Sequence, residues 1–425
     1  MKELGRDFLL FRIGQALSML GGRCSHIALA WWVIEETKSP TLLAAILAPS
    51  MFVNIILTPL MGPAGDIFPR KYCAVLADIW CFVFSFVLAL LALLGIFDPI
   101  WIVILSVLSS IGTALLSPVM YSIVTTLVPK EHTQKAMATG SLINSIGFIL
   151  GAILGGILVA FVGIPVTLLL NALSFLIAAI LTSIIRQTSQ SFVNKDKEYK
   201  KLVAKWFRNV GDGVRAMWKI PLEMYSGVLV MIVNFFLTSF LVVILPSYVE
   251  RGLGMPAWYF GALQASFGLG IFLTSSWLLE KFNERIPKDI VCIVGTFTFG
   301  MCIALVGWTQ ELKLLPVLLI GVGIGLTAIN VNMRTQRILA IPDEYRTRLS
   351  ACRQFLIQIT IPLGVAYAGV SLKYLDFSTS IRIHGLGIMV VSLLYFFVPK
   401  YSKFMRSNTK QVENFYVEHY PQAFR

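Results

Sequence analysis

Apolar stretches long enough to cross a lipid bilayer follow one another along nearly the whole chain. The stretch at 72–97 reads YCAVLADIWCFVFSFVLALLALLGIF and contains a single acidic residue and no basic one. A helix rises about 1.5 Å per residue, so about 20 residues cross the hydrocarbon core of a membrane. Charged residues make up only 13% of the chain, whereas soluble domains have about 25%. The sequence therefore excludes a soluble globular fold.

Twelve such stretches predict an all-α membrane protein with two pseudo-symmetric six-helix bundles. The predicted spans cover residues 7–33, 41–63, 72–96, 100–126, 137–160, 164–185, 223–248, 257–279, 289–309, 314–336, 350–372 and 380–398. The net charge of +13 comes from Lys and Arg residues that concentrate in alternate loops, and this bias keeps those loops in the cytoplasm. We therefore expect a multi-pass protein of the bacterial inner membrane with both termini in the cytoplasm.

The same charge pattern argues against nucleic acid as a partner, because the basic residues mark membrane topology. We expect a small-molecule substrate and the lipid bilayer as partners, and a monomer. The chain has no nucleotide-binding glycine loop, no cluster with metal-ligand spacing and no serine in a nucleophile elbow. We therefore expect no enzymatic activity, no cofactor and no metal.

The longest polar connection separates the two predicted bundles. Its second part is rich in lysine and places apolar residues at helical spacing, at Leu202, Trp206, Val210, Val214 and Trp218. Two readings stay open: an amphipathic helix on the anionic inner leaflet, or a solvated tether with some helix. The predicted domains are an N-terminal bundle (1–186), a cytoplasmic linker (187–222), a C-terminal bundle (223–399) and a cytoplasmic tail (400–425).

An internal repeat relates the two halves. A shift of 213 residues aligns three pairs of glycines, Gly112 with Gly325, Gly151 with Gly364, and Gly156 with Gly369. Glycines that recur at matched depth predict two parallel halves related by an axis along the membrane normal. Substrate sites in such proteins lie between the halves near the midplane.

The loop between the second and third spans carries Gly62, Asp66, Arg70 and Lys71. An acidic residue that faces a basic pair across a tight turn can hold neighbouring helices together through charge attraction. This spacing resembles the signature loop of the major facilitator superfamily, which implies a gating role for the loop. Ile67 stands where the family usually has a basic residue, and Pro69 where it has a glycine.

A finer resemblance concerns the drug-efflux branch that includes macrolide and enterobactin exporters. It rests on Gly14-Gln15, Trp31-Trp32, Ser117-Pro118, Val128-Pro129-Lys130-Glu131 and Ile361-Pro362-Leu363-Gly364. The fifth span looks like the glycine-rich stretch of exporters, with Ala152 in place of the family's proline. Its glycines permit close helix packing; they are Gly147, Gly151, Gly155 and Gly156. Lysophospholipid transporters share the pattern of Ser117, Pro118 and Tyr121.

Ionisable residues within a span are costly and usually face a cavity. Arg23 lies near the middle of the first span, with His26 three residues on and therefore on the same face. Arg23 either binds substrate or pairs with Asp78 of the third span. Asp78 is also the candidate for proton coupling. We interpret Arg12 and Arg337, near the inner ends of their spans, as snorkelling to the cytoplasm.

Polar residues within the spans complete the predicted substrate site. Each of the amides otherwise makes an interhelical hydrogen bond, worth about 0.6 kcal/mol. Besides Arg23 and His26, the candidates are Asn144, Asn171, Asn234, Gln264, Asn330, Asn332, Arg334 and Gln358.

Together these features predict a secondary transporter that moves a small organic solute by alternating access. The arginines favour an anionic or amphiphilic cargo, siderophore-like or drug-like, because arginine grips carboxylates through two parallel hydrogen bonds. The expected direction is proton-coupled export. A siderophore importer or a lysophospholipid transporter of the same fold stays open, and a non-transporting membrane scaffold is the remote alternative.

Overall fold

The N-terminal half of the protein consists of long helices joined by short connections. The computed structural model describes residues 5–61, 68–129, 132–186, 208, 211–413 and 415–424. The helices of this half are α1 (Arg6–Thr37), α2 (Pro40–Leu60), α3 (Arg70–Leu93), α4 (Pro99–Leu127), α5 (Thr133–Phe161) and α6 (Ile164–Ile184). Gly62 and Asp66 of the predicted gating loop lie outside the described residues.

The C-terminal half repeats this arrangement with more irregular helices. They are α7 (Pro221–Gly252), α8 (Ala257–Arg285), α9 (Lys288–Val306), α10 (Leu314–Ala340), α11 (Asp343–Gln358 continued by Ile361–Ser371) and α12 (Phe377–Phe397). Both α7 and α8 contain π-helical turns, at Phe240–Ile244, Tyr248–Gly252 and Thr274–Leu278. Such turns are rare in proteins, and those that do occur are often found at functional sites.

Several helices begin where the sequence supplies both a cap and a proline. Ser39 accepts a hydrogen bond from the backbone N–H of Leu42 at 3.2 Å, and Pro40 occupies the first turn of α2. Asp98 accepts one from the N–H of Ile100 at 2.8 Å, followed by Pro99 in α4. The first backbone N–H groups of a helix have no partner within the helix. The side-chain oxygen of the capping residue accepts a hydrogen bond from one of them. Proline in the first turn has no backbone N–H and so leaves no donor unpaired.

Ten helices in the described part of the chain are long and apolar enough to cross a membrane. The other two predicted spans correspond to α1 and α5, which are 32 and 29 residues long. In α5, residues Ile146–Phe161 form an apolar segment. Helices therefore occupy all twelve predicted positions.

Equivalent helices pack together in the two halves. In the first half, α6 contacts α1 and α3, α4 contacts α2 and α3, and α5 contacts α1. In the second half, α12 contacts α7 and α9, α10 contacts α8 and α9, and α11 contacts α7. Two compact units are present, residues 1–203 with 245–265, and residues 204–244 with 266–425.

One of the repeated glycine pairs, Gly151 and Gly364, occupies equivalent helix contacts in the two halves. A Cβ added to Gly151 would lie 2.6 Å from Cβ of Arg23, and one added to Gly364 would come still closer to the carbonyl oxygen of Phe235. The first contact joins α5 to α1 and the second joins α11 to α7. Real Cβ atoms do not approach so closely, so these contacts require glycine. The repeat that is visible in the sequence is therefore also present in the packing.

The tail beyond α12 is folded, which the sequence analysis did not predict. It forms three short helices, Tyr401–Arg406, Thr409–Glu413 and Phe415–His419. Their apolar side chains are buried, and include Tyr401, Phe404, Met405, Val412, Phe415 and Tyr416. Arg406 Nε donates hydrogen bonds of 2.9 and 3.0 Å to the carboxylate of Asp289 at the start of α9. The tail is therefore attached to the second unit by both apolar and ionic contacts.

Candidate functional site

Asp78 is a wholly buried acid in the first half of α3. Its side chain has no exposed surface, and neither carboxyl oxygen has a hydrogen-bond partner among the described residues. Buried residues of the same helix surround it in sequence, including Ala74, Ala77 and Cys81. Burying an unpaired charge is expensive. Asp78 is therefore suited to carry a proton within the membrane.

Arg23 does not pair with Asp78. Its guanidinium carbon lies 4.5 Å from the centroid of the Phe148 ring in α5, which is within the range of a cation–π contact. No ion pair joins Arg23 to any described residue. The side chains of Arg23 and His26 are both exposed. Among the described residues, no carboxylate therefore neutralises Arg23, and its role as a substrate ligand stays a prediction.

Asn171 lies close to this part of α1. It belongs to α6, is 5% exposed, and its Oδ1 atom has no hydrogen-bond partner in the described part of the chain. A Cβ added to Gly21 of α1 would lie 3.1 Å from Cα of Asn171. The two helices therefore meet two residues before Arg23, with a free amide oxygen on the α6 side.

Two other predicted amides join helices. Asn234 Nδ2 donates a 2.7 Å hydrogen bond to the carbonyl of Ile357, next to the interruption in α11. Asn332 and Asn283 exchange hydrogen bonds of 2.8 and 3.0 Å between α10 and α8. The remaining candidates differ in exposure. Asn330 and Arg334 are exposed on α10, Gln264 and Gln358 are half-buried, and the side chain of Asn144 lies outside the described residues.

A cavity of about 450 Å³ with a mixed polar and apolar lining lies between α8 and α10, and the sequence analysis missed it. The π-helical turn Thr274–Leu278 contributes to its wall. Its polar lining residues are Ser275, Ser276, Glu280, Asn283, Glu284, Lys288, Asn332, Thr335 and Gln336. The available signal was a row of polar side chains three to four residues apart on α8, namely Ser276, Glu280 and Asn283. The cavity offers hydrogen-bonding groups and more acidic than basic side chains.

A second feature that sequence reasoning missed is a charge cluster around Glu223 at the start of α7. This carboxylate has no exposed surface. Arg337 Nε donates to its two oxygens at 2.6 and 2.9 Å, and Arg353 Nη1 donates to Oε2 at 3.0 Å. The Tyr416 hydroxyl donates to Oε1 at 2.7 Å. One carboxylate therefore joins α7, α10, α11 and the tail.

This cluster corrects the interpretation of Arg337, which is 7% exposed and paired with Glu223 instead of snorkelling to water. The interpretation of Arg12 is wrong for a similar reason. Arg12 is 6% exposed, and its Nη2 atom donates a 2.7 Å hydrogen bond to the carbonyl of Ala136. Both arginines donate hydrogen bonds to residues on helices that are far away in the sequence.

The described part of the predicted gating loop adjoins the end of α6. Lys71 Nζ donates a 2.8 Å hydrogen bond to the carbonyl of Ile185, and Arg70 is half-buried. On α5, the predicted packing glycines Gly147 and Gly155 face Met19 and Cys24 of α1, while Gly156 faces Gly261 of α8. A Cβ added to Gly156 would lie 2.8 Å from Cα of Gly261.

Comparison with known proteins identifies the family. Residues 12–365 match the sequence profile of the Major Facilitator Superfamily. The chain belongs to this superfamily. The multidrug efflux pump Tap of Mycolicibacterium fortuitum is 21% identical over 417 residues, which cover 94% of this chain and 98% of Tap. Macrolide efflux protein A of Streptococcus pyogenes is 25% identical over 174 residues, or 41% of this chain and 43% of that protein.

A solved structure shows the same fold. The bacterial homolog to the human lysosomal transporter Spinster, crystallised in an inward-facing and unoccupied conformation, has a TM-score of 0.71 at 15% identity. The match covers 96% of this chain and 97% of that one. The predicted fold and the resemblance to the superfamily and its efflux members are confirmed. The chain is a multi-pass secondary transporter, and its family is not enzymatic.

Proposed function

We propose that this superfamily member exports a small organic solute across the bacterial inner membrane in exchange for protons. The observation that carries the proposal is Asp78, a wholly buried acid in α3 without a hydrogen-bond partner among the described residues. A group that carries a proton in one state of alternating access and releases it in the other needs such a position. The efflux pump Tap and macrolide efflux protein A, as relatives, support export as the direction.

The proton-coupling role follows from the cost of charge in a low-dielectric interior. With no basic partner among the described residues, ionised Asp78 is unfavourable while it stays dry, so it holds its proton. Exposure of α3 to water in the opposite state permits release. A permanent counter-ion would remove this difference between the states, and neither carboxyl oxygen of Asp78 has a hydrogen-bond partner in the described part of the chain.

For the cargo, we propose an anionic or amphiphilic molecule, drug-like or siderophore-like. Arg23 supports this choice because its positive charge is exposed and has no ion pair with a described residue. The free Oδ1 atom of Asn171 adds a hydrogen-bond acceptor near the same stretch of α1. We assign gating to the loop that contains Gly62, Asp66, Arg70 and Lys71.

Two measurements test the proposal. A thermal-stability screen of the purified protein against macrolides, citrate-type siderophores and lysophospholipids identifies a ligand, because binding to the folded state raises apparent stability. The ligand is then loaded into proteoliposomes with an imposed pH gradient. We expect Asp78→Asn to abolish gradient-driven accumulation and to retain exchange, because the amide mimics only the protonated acid.

Glu311→Gln alters an exposed acid and serves as the matched control. We expect this variant to keep full activity. Undiminished proton-driven transport by a stable Asp78→Asn protein would exclude Asp78 as the coupling residue.

A further inference from the structure

A short helix directly precedes α7, which is one of the helices long and apolar enough to cross a membrane. Residues 211–219 are helical, and α7 begins at Pro221. Only Ile220 separates the two, in an extended conformation with φ −113° and ψ 90°. We call residues 211–219 the linker helix. So short a connection leaves the linker helix next to the end of a membrane span.

One side of the linker helix is fixed to α11. Gly213, Ala216 and Met217 are buried. A Cβ added to Gly213 would lie 2.9 Å from the carbonyl oxygen of Arg348. Asp212 also forms an ion pair of 3.3 Å with Arg348. The rotation of the linker helix about its axis is therefore set by α11, and its other side faces outwards.

The outward side carries two neighbouring stripes. Val214 and Trp218 form an apolar stripe and are 38% and 66% exposed. Arg215 and Lys219, each one residue further on, form a basic stripe and are also exposed. Residues four apart share a helix face. Lys219 Nζ donates a 2.9 Å hydrogen bond to the carbonyl of Gln422, which is an uncharged acceptor.

We propose that this surface binds the anionic phospholipid headgroups of the cytoplasmic leaflet. Trp218 and Val214 enter the boundary between headgroups and acyl chains, where tryptophan is enriched in membrane proteins. Arg215 and Lys219 face the lipid phosphates, to which juxtamembrane basic residues are attracted. Charge complementarity selects anionic lipid as the occupant, and the one-residue connection to α7 places that lipid within reach.

The experiment uses the full-length protein in nanodiscs of phosphatidylcholine. A fixed fraction of the lipid is replaced by phosphatidylglycerol or phosphatidylcholine that is brominated on the acyl chains, since bromine quenches tryptophan at contact. The chain has nine tryptophans, so the difference between wild type and Trp218→Phe isolates Trp218. We expect brominated phosphatidylglycerol to quench Trp218 at least twice as strongly as brominated phosphatidylcholine.

The charge dependence is tested with a paired control. Arg215→Gln with Lys219→Gln should abolish the preference for phosphatidylglycerol. Lys313→Gln with Lys373→Gln removes the same charge at exposed positions elsewhere and should leave the preference intact. Thermal stability in pure phosphatidylcholine verifies that each variant is folded. Equal quenching by the two lipids, or no quenching of Trp218 by either, would overturn the proposal.

Discussion

The hydroxyl of Tyr416 donates a 2.7 Å hydrogen bond to Glu223, a residue that precedes it by 193 positions. Both side chains are fully buried. Burial, and then the neighbouring charge of Glu223, raise the pKa of Tyr416 well above its ordinary value. The hydroxyl is therefore a permanent donor at physiological pH, and the tail is a structural part of the C-terminal unit.

Replacing Tyr416 by Phe should destabilise the protein by about 1.5–3 kcal/mol, the range for a hydrogen bond to a charged group. The free energy of unfolding in detergent measures this loss. Tyr420→Phe is the matched control, because the buried Tyr420 hydroxyl has no hydrogen-bond partner among the described residues. Equal losses in the two variants would show that ring packing, and not the bond to Glu223, is what matters.

Removing the carboxylate of Glu223 should be more damaging. Glu223→Gln leaves the buried Arg337 and Arg353 without their counter-ion, and breaking a buried pair costs about 3–5 kcal/mol. Arg337→Gln should cost less, since Arg353 and Tyr416 still bind Glu223. Unfolding free energies of the two single variants and the double variant give the coupling between the residues. A larger loss from Arg337→Gln than from Glu223→Gln would contradict this ranking.

Close packing of α5 on α1 makes Gly151 sensitive to enlargement. Gly151→Ala should destabilise the protein by about 1–3 kcal/mol, as overpacking does, because its Cβ would meet Cβ of Arg23 at 2.6 Å. Gly22→Ala is the control in α1, since nothing lies within 4 Å of its added Cβ. Alanine there should be neutral or stabilising because it favours helix. Thermal melts of the two variants measure the difference in stability. An unchanged stability of Gly151→Ala would contradict the close contact.

Arg23→Gln tests the substrate-binding role of this arginine. Because Arg23 has no ion pair with a described residue, its replacement should leave thermal stability nearly unchanged. Affinity for an anionic ligand found in the stability screen should fall about 10- to 100-fold, as expected for a charged hydrogen bond worth about 1.5–3 kcal/mol. Arg251→Gln, at an exposed residue, should retain affinity. Unchanged binding by Arg23→Gln would remove the basis for an anionic cargo.

The fold was predictable because it rests on local and repeated properties of the chain. Hydropathy accumulates over about 20 consecutive residues, so each span is visible without knowing its neighbours. The weakest case was α1, in which ionisable and polar residues dilute the apolar signal. The repeat was predictable for a related reason. Gly151 and Gly364 are equivalent positions of the two halves. A glycine in a sequence can indicate a close helix contact even when the contacting helix is unknown.

Partner choice was decided only by the tertiary structure. The sequence places Arg337 and Arg12 near span ends, where snorkelling and burial look alike. Their actual partners, Glu223 and the carbonyl of Ala136, lie 114 and 124 positions away. The hydrogen bond of Tyr416 in the tail and the cavity between α8 and α10 were likewise not visible in the sequence. Electrostatic and hydrogen-bonding energies depend on distances of a few ångströms between side chains, and these distances exist only after the helices have packed.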